Sequence, residues 1–167
     1  MKLQLHYDVH GSAQRFWELF FDPAFTKRMH LEALGSTSVE IEELTGDLDS
    51  GIERTIRYAQ VPDAPGPVKK LFGSEVVTTE HGTFDPENWV WTFTLTPGTL
   101  GDKTDIHGTI ELFVDEEAGD DTCEQVFSLE ARVKVFGAGP VVERFIEKQA
   151  RDAQDKAAAF INQELAG

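Results

Sequence analysis

Alternation of apolar and polar residues at the start of the chain predicts a strand followed by two short helices. Residues 3–9 alternate with a period of two, which is typical of a strand with one buried face. Ser12 is a suitable helix N-cap before the apolar residues at 16–20. A second short helix is predicted over residues 23–34, because Gly35 favours a helix end there.

The middle of the chain, about a hundred residues, is dominated by further period-two patterns. Strands are predicted over residues 39–44, 52–58, 75–84, 89–95, 105–114 and 122–136, and an acidic turn at 115–121 separates the last two. In the strand 52–58, Arg54 has the same phase as the apolar residues Ile52 and Ile56. We therefore expect the side chain of Arg54 to point toward the core.

The last part of the chain predicts one long amphipathic helix. From Pro140 to about Leu165, apolar residues recur at three- and four-residue steps, with charged residues between them. A helix of roughly 25 residues is about 37 Å long. Small residues occupy its middle, namely Ala150, Ala153, Ala157 and Ala158. They would either leave room beneath the helix or let helix and sheet approach closely, and both interpretations stay open.

Taken together, the predicted elements indicate an α+β fold with a curved antiparallel sheet around a long C-terminal helix. The final helix is the element long enough to cover the apolar face of the sheet, and the two short N-terminal helices would close one end. The chain has 167 residues and contains no internal repeat, low-complexity segment or linker. We therefore expect a single domain over residues 1–167.

The charge of the chain argues against several classes of partner. The net charge is −15, the pI is about 4.6, and no basic stripe is present that could displace counterions from nucleic-acid phosphates. An anionic membrane surface would repel the protein, and no apolar run is long enough to span a membrane. The N-terminus lacks a signal-peptide pattern and Cys123 is the single cysteine, so we expect a cytoplasmic protein without an internal disulfide.

Several segments resemble a known superfamily. The order of elements and the segment Val135–Phe145, with its Gly-containing entry to the last helix and Glu143, are similar to the START/Bet v 1-like (SRPBCC) superfamily. Within it, the chain resembles the bacterial family of uncharacterised proteins called DUF2505, and the further matching segments are Tyr7-Asp8, Asp22–Phe25 and Val61-Pro62. The resemblance implies a helix-grip fold with a hydrophobic cavity. It implies no activity, since the superfamily includes lipid carriers, hormone receptors, polyketide cyclases and co-chaperones.

The inward-facing positions of the predicted strands and of the last helix give the candidate lining residues of such a cavity. The candidate lining residues are Arg54, Tyr58, Trp89, Trp91, Phe93, Phe127, Leu129, Phe145 and Gln149. Most are aromatic or aliphatic, as in typical ligand pockets. Arg54 is the one charged residue among them, and a buried guanidinium needs an anion. That anion could be an acidic group of a ligand or a protein carboxylate such as Glu43; a register slip that exposes Arg54 is the alternative.

The sequence contains no catalytic or metal-binding motif. His6, Asp8 and His10 share the outward face of the first strand, but residues two apart lie about 6.6 Å from each other, too far for one ion without a bend. No nucleophile elbow or phosphate-binding glycine loop is present, and nothing indicates activation of Cys123. We therefore nominate no catalytic residue, metal or cofactor. Acid–base work by Arg54, Tyr58 or His81 on a cavity-bound substrate remains an alternative.

The leading functional hypothesis is the binding of a small hydrophobic or lipid-like molecule between the sheet and the C-terminal helix, with any acidic group near Arg54. One alternative is a cyclase- or hydratase-type enzyme that uses the same cavity. The other is a protein-interaction module whose core is filled.

Overall fold

A computed structural model describes residues 1–119 and 121–167 of the chain. The strands are β1 (Lys2–Val9), β2 (Ser38–Asp47), β3 (Gly51–Gln60), β4 (Val76–Asp85), β5 (Val90–Pro97), β6 (Thr104–Phe113) and β7 (Cys123–Val133). The helices are α1 (Ala13–Phe20), α2 (Pro23–Arg28), α3 (Gly66–Phe72) and α4 (Gly139–Ala166). Asp120, which belongs to the predicted acidic turn, lies outside the described residues. No helix in the described ranges is long and apolar enough to cross a membrane.

The seven strands form one antiparallel sheet in the order β1-β7-β6-β5-β4-β3-β2. Chain neighbours are paired from β2 to β7, and β1 then pairs with β7, so that Leu3 lies opposite Leu129. The predicted fold class is confirmed. Several strand ends differ from prediction by one to three residues; in particular, β5 begins after Trp89 and β7 ends at Val133. The predicted second helix, 23–34, consists of α2 followed by a π-helical turn at Met29–Ala33.

The N-cap at the start of α1 follows from the sequence. The Ser12 side chain accepts a hydrogen bond from the Arg15 backbone N–H at 3.2 Å, which satisfies one of the free donors of the first turn. Helix α1 then buries Phe16, Trp17 and Phe20 against the sheet. This aromatic group packs against Phe84 and Trp91 and forms the core at one end of the sheet.

Contacts near both ends fix helix α4 across the sheet. Near its C-terminus, Asn162 accepts a hydrogen bond from the His10 backbone N–H and donates one to the Asp8 carbonyl, each at 2.8 Å. Arg28 donates two hydrogen bonds to Glu164, at 2.9 and 3.2 Å. Near its N-terminus, Val142 is fully buried in a separate apolar cluster with α3. The 28-residue helix is about 42 Å long, so its middle lies far from both groups of contacts.

A missing side chain at Gly82 allows an aromatic ring to lie flat against the inner face of the sheet. A Cβ atom at Gly82 would overlap the indole ring of Trp91, and one at Gly108 would overlap both the Phe93 ring and the Ser128 backbone oxygen. Gly82 is paired with Arg54 on one side and with Phe93 on the other. The glycine therefore sets the position of the Trp91 ring beside Arg54.

We expect Gly82→Ala to destabilise the protein by about 2 kcal/mol, because the added methyl group displaces the buried Trp91 ring. Gly66→Ala is the matched control, since a Cβ there meets no atom within 4 Å and should change stability by less than about 0.5 kcal/mol. Urea unfolding followed by tryptophan fluorescence measures both. Equal stabilities of the two variants would contradict the close packing at Gly82.

Candidate functional site

A cavity of about 520 Å³ lies between the concave face of the sheet and α4. It reaches the surface between the loop after β3 and the middle of α4, where Val61, Asp63, Asp152 and Lys156 are exposed lining residues. We call this opening the cavity entrance. The residues Phe16, Phe20 and Ile161 line the cavity as well and are buried, so the space extends beneath α4 to the end that α1 closes.

Eight of the nine candidate residues line this cavity. They are Arg54, Tyr58, Trp91, Phe93, Phe127, Leu129, Phe145 and Gln149. Trp89 does not, and its placement corrects the prediction. Its backbone has φ of 55°, a left-handed conformation in the turn before β5, and this interrupts the alternation that would have pointed it inward. Its ring packs edge-on against Phe84, with centroids 6.0 Å apart.

Small residues of α4 face the cavity. Ala150, Ala153 and Ala157 all line it. Of the two interpretations of these alanines, the structure therefore shows the one in which they leave room beneath the helix. Ala158 is also buried but is not a lining residue.

Arg54 is buried as predicted, and the protein itself supplies its partners. Arg54 is 3% exposed; Nη2 donates to Glu80 Oε1 at 3.0 Å, and Nη1 donates to the Phe20 carbonyl at 2.9 Å. Its guanidinium carbon lies 4.5 Å from the centroid of the Phe20 ring and 5.0 Å from that of Trp91, within the range of cation–π contacts. Burial lowers the pKa of Arg54, and the Glu80 carboxylate opposes this effect.

The expected alternatives for Arg54 are thereby corrected. Glu43 is exposed on β2, after an irregularity in the register between Ile41 and Glu43, and it is not the partner. Because Glu80 already neutralises Arg54, the guanidinium does not require an acidic group from a ligand. Glu80 has the same phase as Phe84 in the predicted strand 75–84, so its inward position was available from the sequence.

A histidine that the sequence analysis did not nominate belongs to the cavity. His30 lies in the π-helical turn after α2, is 6% exposed, and lines the cavity with its ring 4.7 Å from the Tyr58 ring. Its Nδ1 lies 3.2 Å from Ser36 Oγ. Burial lowers the pKa of His30; Glu80 opposes this shift and Arg54 adds to it. Burial together with Glu80 raises the pKa of Tyr58, so both rings are neutral near pH 7.

The other histidines considered from sequence lie outside the cavity. His81 is exposed on the outer face of β4, where Nδ1 lies 2.8 Å from Thr55 Oγ1, so the suggested acid–base role in the cavity is wrong for this residue. His6 pairs with Glu124 on the outer face of β1 and β7. Within residues 1–119 and 121–167, no cluster of three or more His, Cys, Asp or Glu residues could hold a metal ion.

Gln125 is a further lining residue that was not nominated. It is 3% exposed and has the same phase in β7 as Phe127 and Leu129. Its inward phase could be read from the sequence. The sequence could not show that its amide oxygen would have no hydrogen-bond partner. Within the described part of the chain, Gln125 Oε1 is enclosed and accepts no hydrogen bond.

Comparison with known proteins identifies a family and a fold. A family model described as a protein of unknown function (DUF2505) matches residues 3–165. Among curated proteins, no sequence match was found. The START superfamily protein from Mycobacterium smegmatis is similar in structure, with a TM-score of 0.63 and 14% identity over 99% of this chain and 97% of that one.

Two further solved structures are similar over nearly the whole chain. The ZhuI aromatase/cyclase from Streptomyces sp. R1128 has a TM-score of 0.69 and 13% identity, over 99% of this chain and 95% of that one. Norcoclaurine synthase from Thalictrum flavum has a TM-score of 0.66 and 21% identity, over 99% and 86%. These likenesses confirm the START/Bet v 1-like fold that the sequence resemblance implied.

We expect Arg54→Met to destabilise the protein by about 3 kcal/mol, because the change leaves the Glu80 carboxylate half-enclosed without its cation. Arg57→Met is the control, since Arg57 is exposed on the same strand and its loss should cost less than about 0.5 kcal/mol. Urea unfolding provides both values. A stability of Arg54→Met close to that of the wild type would mean that the pair is dispensable and that Arg54 is free for a ligand anion.

We expect acid to weaken the wild-type protein more than a His30→Gln variant. Folding lowers the pKa of His30 below its ordinary value of 6.5, so the unfolded chain takes up the proton first as the pH falls. Stability linked to His30 is therefore present above about pH 6.5 and declines as the pH falls toward the lowered pKa. Urea unfolding between about pH 7.5 and 5 measures the slope. His81→Gln, at an exposed site, should keep the wild-type slope; equal slopes in the wild type and His30→Gln would contradict the prediction.

Proposed function

We propose that this chain, which belongs to the DUF2505 family of proteins of unknown function and has a START/Bet v 1-like fold, binds a small hydrophobic ligand between its sheet and α4. The observation that carries the proposal is the cavity of about 520 Å³ beneath the middle of the helix. Pockets of about 300–1,000 Å³ with mainly apolar walls are typical small-molecule sites.

The shape of the cavity supports an elongated ligand. The cavity entrance lies between the loop at Val61–Asp63 and the middle of α4, and buried aromatic residues line the far end. A ligand would enter beside Asp152 and extend toward Phe16 and Phe20. Apolar surface that is removed from water along this path contributes about 25 cal/mol per Å² to binding.

The charges in the cavity favour a neutral ligand. Arg54 already has Glu80 as its counter-ion, and His30 is held neutral by burial. The cavity entrance carries Asp63 and Asp152, with Lys156 as the basic residue beside them. A fatty acid would therefore meet no unpaired cation at the buried end of the cavity. A neutral ligand is thus favoured over one with an acidic group near Arg54.

We expect Ala153→Phe to weaken binding of the neutral fluorescent probe N-phenyl-1-naphthylamine by about tenfold or more, because the phenyl ring occupies cavity volume. Ala159→Phe places the same ring on the exposed face of α4 and should leave the dissociation constant unchanged. Fluorescence titration measures the affinity, and thermal unfolding verifies that both variants are folded.

Native mass spectrometry of the protein purified from its host complements the titration by detecting a co-purified hydrophobic molecule. A wild-type protein that carries no such molecule and does not bind the probe would refute the proposal. Equal affinities of Ala153→Phe and Ala159→Phe would place the probe outside the cavity.

A further inference from the structure

Phe136 has the most exposed large apolar side chain in the described part of the chain. It is 106% exposed, as open as in an extended reference peptide, whereas Val61, the next, is 61% exposed. Phe136 lies between β7 and α4, and Val141 in the first turn of α4 is exposed as well. Gly137, with φ of 76°, makes the turn there, so the turn requires a glycine at 137 but no apolar residue at 136. Folding alone therefore gives no reason for this ring.

Three segments of the chain meet around this turn. The Lys134 backbone N–H donates to the Lys103 carbonyl at 2.7 Å, which joins the residues after β7 to the loop before β6. Val68 of α3 packs in one apolar cluster with Val142 of α4. We call the exposed surface of these segments the basic tip, and it comprises residues 64–72, 98–103 and 134–144.

The basic tip carries more positive than negative charge, although the net charge of the chain is −15. Its exposed basic residues are Lys69, Lys70, Lys103, Lys134 and Arg144. Within residues 1–119 and 121–167, none of these five forms an ion pair. The acidic residues of the same segments are Asp102 and Glu143, and Glu143 is already paired with the N-terminal ammonium group at 3.3 Å. The structure thus gathers unpaired cations around an exposed aromatic ring.

An anionic lipid membrane offers a partner for both features. Its phosphates attract lysine and arginine side chains close to the surface, and its acyl chains accept an apolar side chain at the headgroup boundary. A protein partner would have to supply a pocket for the Phe136 ring in addition to acidic groups around it. The ring projects freely into solvent, as insertion into a lipid layer requires.

The net charge of −15 predicts that an anionic membrane repels the protein as a whole. Salt limits this repulsion, because the Debye length at physiological ionic strength is about 8 Å. Helix α4 begins at the basic tip and extends for about 42 Å, so the acidic residues toward its C-terminus lie several Debye lengths away. The charge nearest the membrane therefore decides the sign of the interaction.

We propose that the basic tip docks this protein on anionic lipid membranes, with the Phe136 ring at the boundary between headgroups and acyl chains and the basic side chains on the lipid phosphates. One ring and a few cations give reversible binding rather than permanent anchoring. Phe72 of α3 lines the cavity, so docking would hold one cavity wall near a source of hydrophobic molecules. The docking itself requires no bound ligand.

Flotation of the protein with vesicles tests the docking. We expect the wild type to bind vesicles of equal parts phosphatidylcholine and phosphatidylglycerol about tenfold more tightly than pure phosphatidylcholine vesicles, and rising salt should remove this preference. Phe136→Ser should lower the partition coefficient on the mixed vesicles about fivefold or more. Phe113→Ser is the matched control, since Phe113 is also exposed but precedes the acidic turn, and it should keep the wild-type value.

A pair of double variants tests the charges at constant net charge. Lys103→Gln with Lys134→Gln should lower the partition coefficient about tenfold or more at low salt. Lys2→Gln with Lys27→Gln removes two exposed lysines outside the basic tip and should have little effect. All substituted side chains are exposed, and thermal unfolding verifies that each variant is folded.

Three results would overturn the assignment. The first is equal binding of the wild type to both kinds of vesicle, and the second is equal loss in each variant and its control. The third is a wild type that ignores vesicles but binds a polyglutamate column through Lys103 and Lys134, which would identify an acidic protein as the partner. Binding of N-phenyl-1-naphthylamine without vesicles should be the same in Phe136→Ser and the wild type, so a failure of docking is distinguishable from a failure of the cavity proposal.

Discussion

The architecture depends on one continuous helix, α4, whose two ends are fixed on a curved sheet. The antiparallel sheet twists as it crosses seven strands, whereas α4 extends about 42 Å as a single rod. Val142 holds one end and Asn162 the other, so the middle of the helix cannot follow the sheet. Ala150 and Ala153 face the resulting gap, and their short side chains do not fill it. The cavity is thus a consequence of helix length and end contacts combined with small residues between them.

Arg54 and Gln125, two buried polar side chains on the inner face, differ in the free-energy cost of having no partner. An unpaired buried charge costs far more than an unpaired buried amide, so a buried guanidinium needs a counter-ion from the fold, although Arg54 Nε itself has no hydrogen-bond partner within the described residues. Arg54 accordingly has Glu80, a backbone carbonyl and aromatic rings around it. An amide without a partner costs only about 1–3 kcal/mol, which a stable domain can tolerate. The domain can therefore hold Gln125 without a partner for its amide oxygen, whereas Arg54 is paired with Glu80.

The inward position of a site residue could be predicted where it follows from the alternation of its own strand. It could not be predicted where it depends on contacts with another element. The phase of β3 and β7 was sufficient to place Arg54 and Phe127 on the inner face, because a strand alternates whatever packs against it. It failed at Trp89, where one left-handed residue ends the alternation. His30 was missed because the end of a short helix next to a turn has no clear period, and its burial depends on contact with Tyr58 from another element.

Periodicity and helix signals were sufficient for the element order, the antiparallel sheet and the covering helix, since these follow from local patterns of two and 3.6 residues. They also left the alanines of α4 compatible with either an open or a filled interior. Three-dimensional packing settled that question, and it chose Glu80 rather than Glu43 as the counter-ion of Arg54. Such pairings join residues far apart in the chain, and a local pattern contains no information about which of several possible partners lies within hydrogen-bonding distance.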